Sequence, residues 1–310
     1  MKEKLTRREF VRIAAAGGVL AASTPSRLFA ALEAADPVAD IAAAKGPVAL
    51  SVRAAVDAVG GMGAFVKPGS RVVLKPNMGF PTPPSQGATT NPAVVAETAK
   101  LCAEAGAASI LIIDHPVRKA SVCLELNGIR DACAGLPKTR VVAVDRKEFF
   151  EEIEIPGGKV LHKAQVISEV LRADAFINMP TAKSHSGANV SFGLKNLMGV
   201  VWNRKVFHFP LNLSEAIADL ATVLRAHLTI VDATRTLLDG GPQGPGTVEA
   251  ADTIVAGIDP LAVDAFTVGL GQWYGKPWKP RDIKHLAAAA ERGIGKIDTG
   301  PLRIKQIDRS

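Results

Sequence analysis

The side chains most able to do chemistry are gathered in one stretch. Asn178-Met179-Pro180-Thr181-Ala182-Lys183-Ser184-His185 is followed by Ser191-Phe192-Gly193-Leu194-Lys195-Asn196-Leu197-Met198-Gly199 and then by His208. Burying a lysine without a partner in such Gly-rich, apolar surroundings costs several kcal/mol, so each must face an acid or a ligand. A third lysine, Lys75, and Asn77 follow an earlier apolar run, and Thr89-Thr90-Asn91-Pro92 reads as a capped helix start, an end that favours anions. The pattern predicts a site for a small anionic molecule, a phosphate or carboxylate. Lys75, Asn77, Thr90, Asn178, Lys195 and Asn196 are the candidates to bind it. Lys183, His185 and His208 are the candidates for proton transfer. Asp232, Asp259 or Asp264 would orient the lysines, and Asp232 and Asp264 are the candidates to hold a divalent cation through oxygen. The competing reading is an internal salt-bridge network with no ligand.

The reaction class stays open. The glycine cluster 240–246 has neither dinucleotide-loop spacing nor a Walker Lys-Ser/Thr pair, and no nucleophile elbow or H-E-x-x-H is present. Cys102, Cys123 and Cys133 lack C-x-x-C spacing, so no iron–sulfur cluster is expected and buried thiols are the simpler reading. A Cys123–Cys133 bridge is disfavoured, because on one helix the two would stand roughly 15 Å apart.

These residues need a scaffold that brings strand ends together. Short Val/Ile/Leu runs at 71–74, 109–113, 140–144, 175–177, 228–231 and 253–256 alternate with amphipathic stretches at 92–105, 121–134, 164–172, 214–226 and 260–270. That alternation predicts an α/β fold, a mostly parallel sheet with helices on both faces. A β-hairpin insertion is expected over 149–160, turning at Gly157-Gly158. In open parallel sheets ligands lie beyond the carboxyl ends of the strands. There the sequence places Lys75-Pro76-Asn77, Asp114-His115, Asp145-Arg146, Asn178-Met179-Pro180 and Asp232. The segment 181–213 reads as a long functional loop.

Thr6-Arg7-Arg8-Glu9-Phe10 precedes an uncharged stretch over 13–22, the pattern of a twin-arginine export leader. That stretch is far short of the roughly 20 apolar residues that span a bilayer. The expectation is a leader over 1–35, a single α/β domain over 36–310, a periplasmic or otherwise exported protein served by the twin-arginine translocase, and no retained membrane anchor. The leader carries six basic and three acidic residues, so its removal lowers the formal net charge from +7 to +4. That charge is too mild for a nucleic-acid partner.

Val73-Leu74-Lys75-Pro76-Asn77, Ala88-Thr89-Thr90-Asn91-Pro92, the 177–185 and 193–199 segments, and Gly257-Ile258-Asp259-Pro260-Leu261-Ala262-Val263-Asp264 together resemble the family known as domain of unknown function 362, over roughly 47–270. Some members carry an added ferredoxin-like segment with cysteine-ligated clusters. This chain departs from that version, having no cysteine cluster. The resemblance leaves an enzyme and a non-catalytic accessory protein for a periplasmic redox or maturation system both open.

Overall fold

Successive side chains of a strand point to opposite faces, and in this protein the two faces feed two separate cores. A computed structural model describes Val38–Ser310. The expected leader lies outside the described residues. The strands are β1 (Ile41–Lys45), β2 (Arg71–Pro76), β3 (Ser109–Asp114), β4 (Thr139–Ala143), β5 (Phe150–Glu154), β6 (Lys163–Ile167), β7 (Ala175–Met179), β8 (Thr181–His185), β9 (Asn189–Ser191), β10 (Leu228–Leu237), β11 (Val248–Glu249), β12 (Thr253–Gly257) and β13 (Ile304–Asp308). The helices are α1 (Val48–Ala58), α2 (Met62–Phe65), α3 (Pro92–Glu104), α4 (Ala120–Leu126), α5 (Ile129–Ala132), α6 (Ser168–Leu171), α7 (Gly193–Asn196), α8 (Lys205–His208), α9 (Leu213–Val223), α10 (Pro260–Val268) and α11 (Lys284–Glu291).

The main sheet runs β13-β1-β12-β10-β7-β2-β3-β4. Its half from β10 to β4 is parallel throughout, as is the β13–β1 pair, while β12 runs antiparallel to both neighbours. Ile41, Ala43, Val73, Val231 and Val255 enter the core shared with α9, α10 and α11. Ala42, Ala44, Val72, Leu74, Ile230 and Ile254 enter the core shared with α1 and α3. The expected α/β sheet with helices on both faces is therefore present.

Three local expectations need correction. Residues 164–172 form β6 and a single helical turn, α6, not one helix. β6 is the returning arm of the hairpin, paired with β5 from Phe150↔Ile167 to Glu154↔Lys163, so the strand resumes after Val160 rather than ending there. The 121–134 helix breaks into α4 and α5 at Asn127-Gly128, where Gly128 takes a left-handed φ of 72° that other residues rarely adopt. The segment 181–213 is no bare loop: it holds β8, β9, α7 and α8. All three cysteines are free and buried. Among the described residues, no helix is long and apolar enough to cross a membrane.

Candidate functional site

The parallel register sets Lys75 beside Asn178 at the carboxyl ends of β2 and β7, with Asp114 closing β3 next to them. Lys75 is 1% exposed, and its ammonium meets the Asp114 carboxylate at 2.8 Å. The same Nζ donates to the Pro76 carbonyl at 2.8 Å and to Asn196 Oδ1 at 3.0 Å. Asn196 Nδ2 donates in turn to Asn178 Oδ1 at 2.9 Å, and Asn178 Nδ2 to the Gly193 carbonyl at 2.9 Å. This chain of amides fixes α7 against the strand ends. Gly199 sits against the ion pair so closely that a Cβ there would lie 2.4 Å from Asp114 Oδ1 and 2.5 Å from Lys75 Nζ.

Beside this pair opens a cavity of about 360 Å³. Lys183 and His185 of β8, Lys195 and Asn196 of α7, Arg204, His208 of α8, Lys75 and Asn77 all line it, with Phe80, Val117 and Met198 as apolar wall. Asp114 is its one carboxylate among the described residues, so the cationic charge is only partly balanced. Lys183 Nζ donates to the Ala88 carbonyl and lies 4.5 Å from the Phe80 ring centroid, a cation–π contact. Arg204 is held by the carbonyls of His115 and Pro116. Lys195, 8% exposed, has no hydrogen-bond or ion-pair partner among the described residues.

Burial dominates the electrostatics. It pushes Lys183 well below the ordinary lysine range, reinforced by Lys195 and Lys75, and lowers Lys75 despite the Asp114 charge. Lys195 falls to about 7 through burial and the Arg204 charge. His185 falls to about 2 for the same two kinds of reason, burial and then the Lys195 and Lys183 charges. Its Nδ1 accepts from the Gly187 amide at 3.0 Å, so the neutral ring carries its proton on Nε2. His208, exposed and stacked 6.1 Å from His185, is lowered by burial and Lys195.

Five of the expected site residues have other work. Thr90 Oγ1 accepts from the Asn77 amide at 2.8 Å and donates to the Met179 carbonyl at 2.7 Å. Asn178 acts behind Asn196 rather than on the cavity wall. Asp232, expected as a metal ligand or lysine partner, accepts from the Asn91 amide at 2.6 Å and from Thr234 N and Oγ1 at 3.0 and 2.6 Å. It therefore fills the α3 N-terminus that was expected to attract an external anion. Asp264 caps α7, accepting from the Gly193 and Leu194 amides at 2.7 and 2.9 Å, while burial lifts its carboxyl to about 7 against those two donors. Asp259 caps α10 through Leu261 and Ala262. A carboxylate saturated by backbone N–H groups has little left to offer a cation, and among the described residues no group of three His, Cys, Asp or Glu is placed to hold a metal. The acid that does meet one of these lysines, Lys75, is Asp114, visible in the sequence as a strand-end residue but not singled out. Arg204 is not singled out by the sequence either, because the apolar run 197–202 before it reads as part of the long loop over 181–213.

Residues 72–269 match the family model described as domain of unknown function (DUF362). A thylakoid-associated protein of Synechocystis sp. is 29% identical over 256 residues, covering 80% of this chain and 76% of its own. Among solved structures, the lactate racemase apoprotein of Thermoanaerobacterium thermosaccharolyticum superposes with a TM-score of 0.42 at 14% identity, covering 73% of this chain and 56% of its own. A Thermotoga maritima protein gives 0.40 at 10% identity, covering 66% and 55%. The chain thus spans little more than half the length of either solved structure.

Proposed function

The chain belongs to the family called domain of unknown function 362, and from that premise we propose that its lysine-lined cavity binds a small anionic molecule bearing a phosphate or carboxylate. One observation carries the reading: Lys195 is buried on the cavity wall with no protein acceptor for its ammonium. An internal salt-bridge network would have given it one. Two unit charges about 6 Å apart repel by roughly 3 kcal/mol at an effective dielectric near 20, so Lys183, Lys195 and Arg204 around one empty space favour an incoming anion. His208 is the residue suited to proton exchange with solvent, and the neutral His185 Nε2–H is a donor to the ligand. Export by the twin-arginine route is part of the proposal; it rests on the Arg7-Arg8 pattern, and the thylakoid association of the Synechocystis relative agrees with a place at or beyond a membrane.

Thermal shift with phosphorylated metabolites and with mono-, di- and tricarboxylates tests the cavity. A ligand at about 100 times its Kd is expected to stabilise the fold by roughly 2.7 kcal/mol, with the rise largely lost in Lys195→Ala. If no anion shifts the wild type, or the variant responds equally, the internal-network reading replaces this one.

A further inference from the structure

The three buried lysines of the cavity wall are not equivalent. Lys75 is committed to Asp114, Pro76 and Asn196, and Lys183 to Ala88 and the Phe80 ring. Among the buried lysines of the cavity wall, Lys195 alone presents an amine with nothing attached to it, Lys205 being exposed to solvent. Its neighbours are the charges of Arg204 and Lys183 and the rings of His185, His208 and the buried His285, with Asp114 as the single acid on the wall. An amine lacking both a carboxylate partner and hydrogen-bond acceptors is free to exist with its lone pair exposed, and burial together with the Arg204 charge disfavours its protonated form.

Resting on the anion-binding reading of the same cavity, we propose that its ligand is a small 2-oxo carboxylate and that Lys195 joins it as an imine. The Arg204 guanidinium on the same wall holds the carboxylate, which brings the adjacent carbonyl carbon to Lys195 Nζ. The lone pair of Nζ adds to that carbon, and the carbonyl π electrons move to oxygen. A proton passes from nitrogen to that oxygen, giving a carbinolamine, and loss of water leaves the C=N bond. Amine and ketone become imine and water, with no oxidant or reductant required. His208, exposed at the mouth, is the group that can relay the proton, and His185 Nε2–H is a donor toward the departing oxygen. The titration of Lys195 near 7 means that both the cation and the nucleophile are populated at neutral pH. Phe80, Val117 and Met198 give the substituent on the ketone an apolar wall.

The test incubates the purified chain with pyruvate and with 2-oxoglutarate in sodium cyanoborohydride, followed by intact-mass measurement and peptide mapping. Inorganic phosphate and propionate, which lacks the carbonyl, are run beside them in thermal shift without reductant. The expected result is one reduced adduct per chain, mapped to Lys195 and lost in Lys195→Arg. That variant must still melt cooperatively, and mapping on the wild type keeps the result interpretable if it does not. If phosphate or propionate raises the melting temperature but no adduct forms, or adducts spread over exposed lysines, the imine is overturned and the anion site stands. If neither a shift nor an adduct appears, both fall.

Discussion

At the scale of single residues, the cavity is governed by what burial does to charge. The Lys75–Asp114 pair is buried on both sides, so removing one partner leaves an uncompensated ion. Asp114→Asn is expected to cost about 3–5 kcal/mol in chemical denaturation, and Gly199→Ala a comparable amount, because its Cβ would drive the same two side chains apart. A loss under about 1 kcal/mol in both would show that the pair is dispensable. Lys195 makes a prediction of opposite sense. Its pKa falls on folding from 10.5 to about 7, so between those values the unfolded chain binds more protons than the folded one. Stability therefore rises with pH across that window, and the cost of the buried cation, roughly 5 kcal/mol at most, is felt in full below it. Denaturation midpoints measured between about pH 7 and 10 should climb in the ligand-free protein and climb less in Lys195→Met. Asp264 does not blur this slope, because its raised carboxyl titrates between 3.8 and about 7, below the window.

At the scale of elements, caps and strand ends decide which polar residues are available to a ligand. The sequence shows the strand ends well: Lys75 and Asn178 stand where the apolar runs predict, and Asn91 with Pro92 starts α3 as the pattern requires, whereas Lys183, expected in a long loop, lies inside β8. It does not show which carboxylate meets which cation, since Asp114, Asp232 and Asp264 all follow or flank apolar runs and only the fold separates them. Nor does it show β1 and α1, whose Ala-rich segments carry little periodicity, or β6, whose Ala164-Gln165-Val166 reads as helix until β5 pairs with it. The assignment of Asp232 to the α3 terminus can be checked directly. Asp232→Ala strands the Asn91 amide and the Thr234 hydroxyl and should lose about 2–4 kcal/mol, hydrogen bonds to a buried charge being worth more than neutral ones. The rise in melting temperature produced by an anion should survive unchanged, because Asp232 is not on the cavity wall. Loss of that rise in a folded Asp232→Ala protein would return the residue to the binding site.

At the scale of the whole molecule, the sheet closes on contacts between distant parts of the chain. Ile41 of β1 pairs with Gly257 of β12 and with Ile304 of β13, so the edge of the sheet forms only when both ends of the described body are present. Contacts of this span slow folding, because loop-closure entropy is lost before the pairing rewards it. A body of this kind suits a route that carries folded cargo, where threading an unfolded chain would demand refolding outside the cell without help. The buried lysines add to the argument, since their cavity exists only once β2, β3, β7, β8 and α7 have come together. Replacing Arg7 and Arg8 by lysine should therefore leave a folded precursor inside the cell, one that still shows the anion-dependent rise in melting temperature, whereas the wild type yields a mature chain beginning between Ala30 and Asp36 outside it. Fractionation with N-terminal sequencing reads both. Normal export of the double variant, or an intact Met1 chain found folded outside the cytoplasm, would sink the export proposal while leaving the cavity and its chemistry untouched.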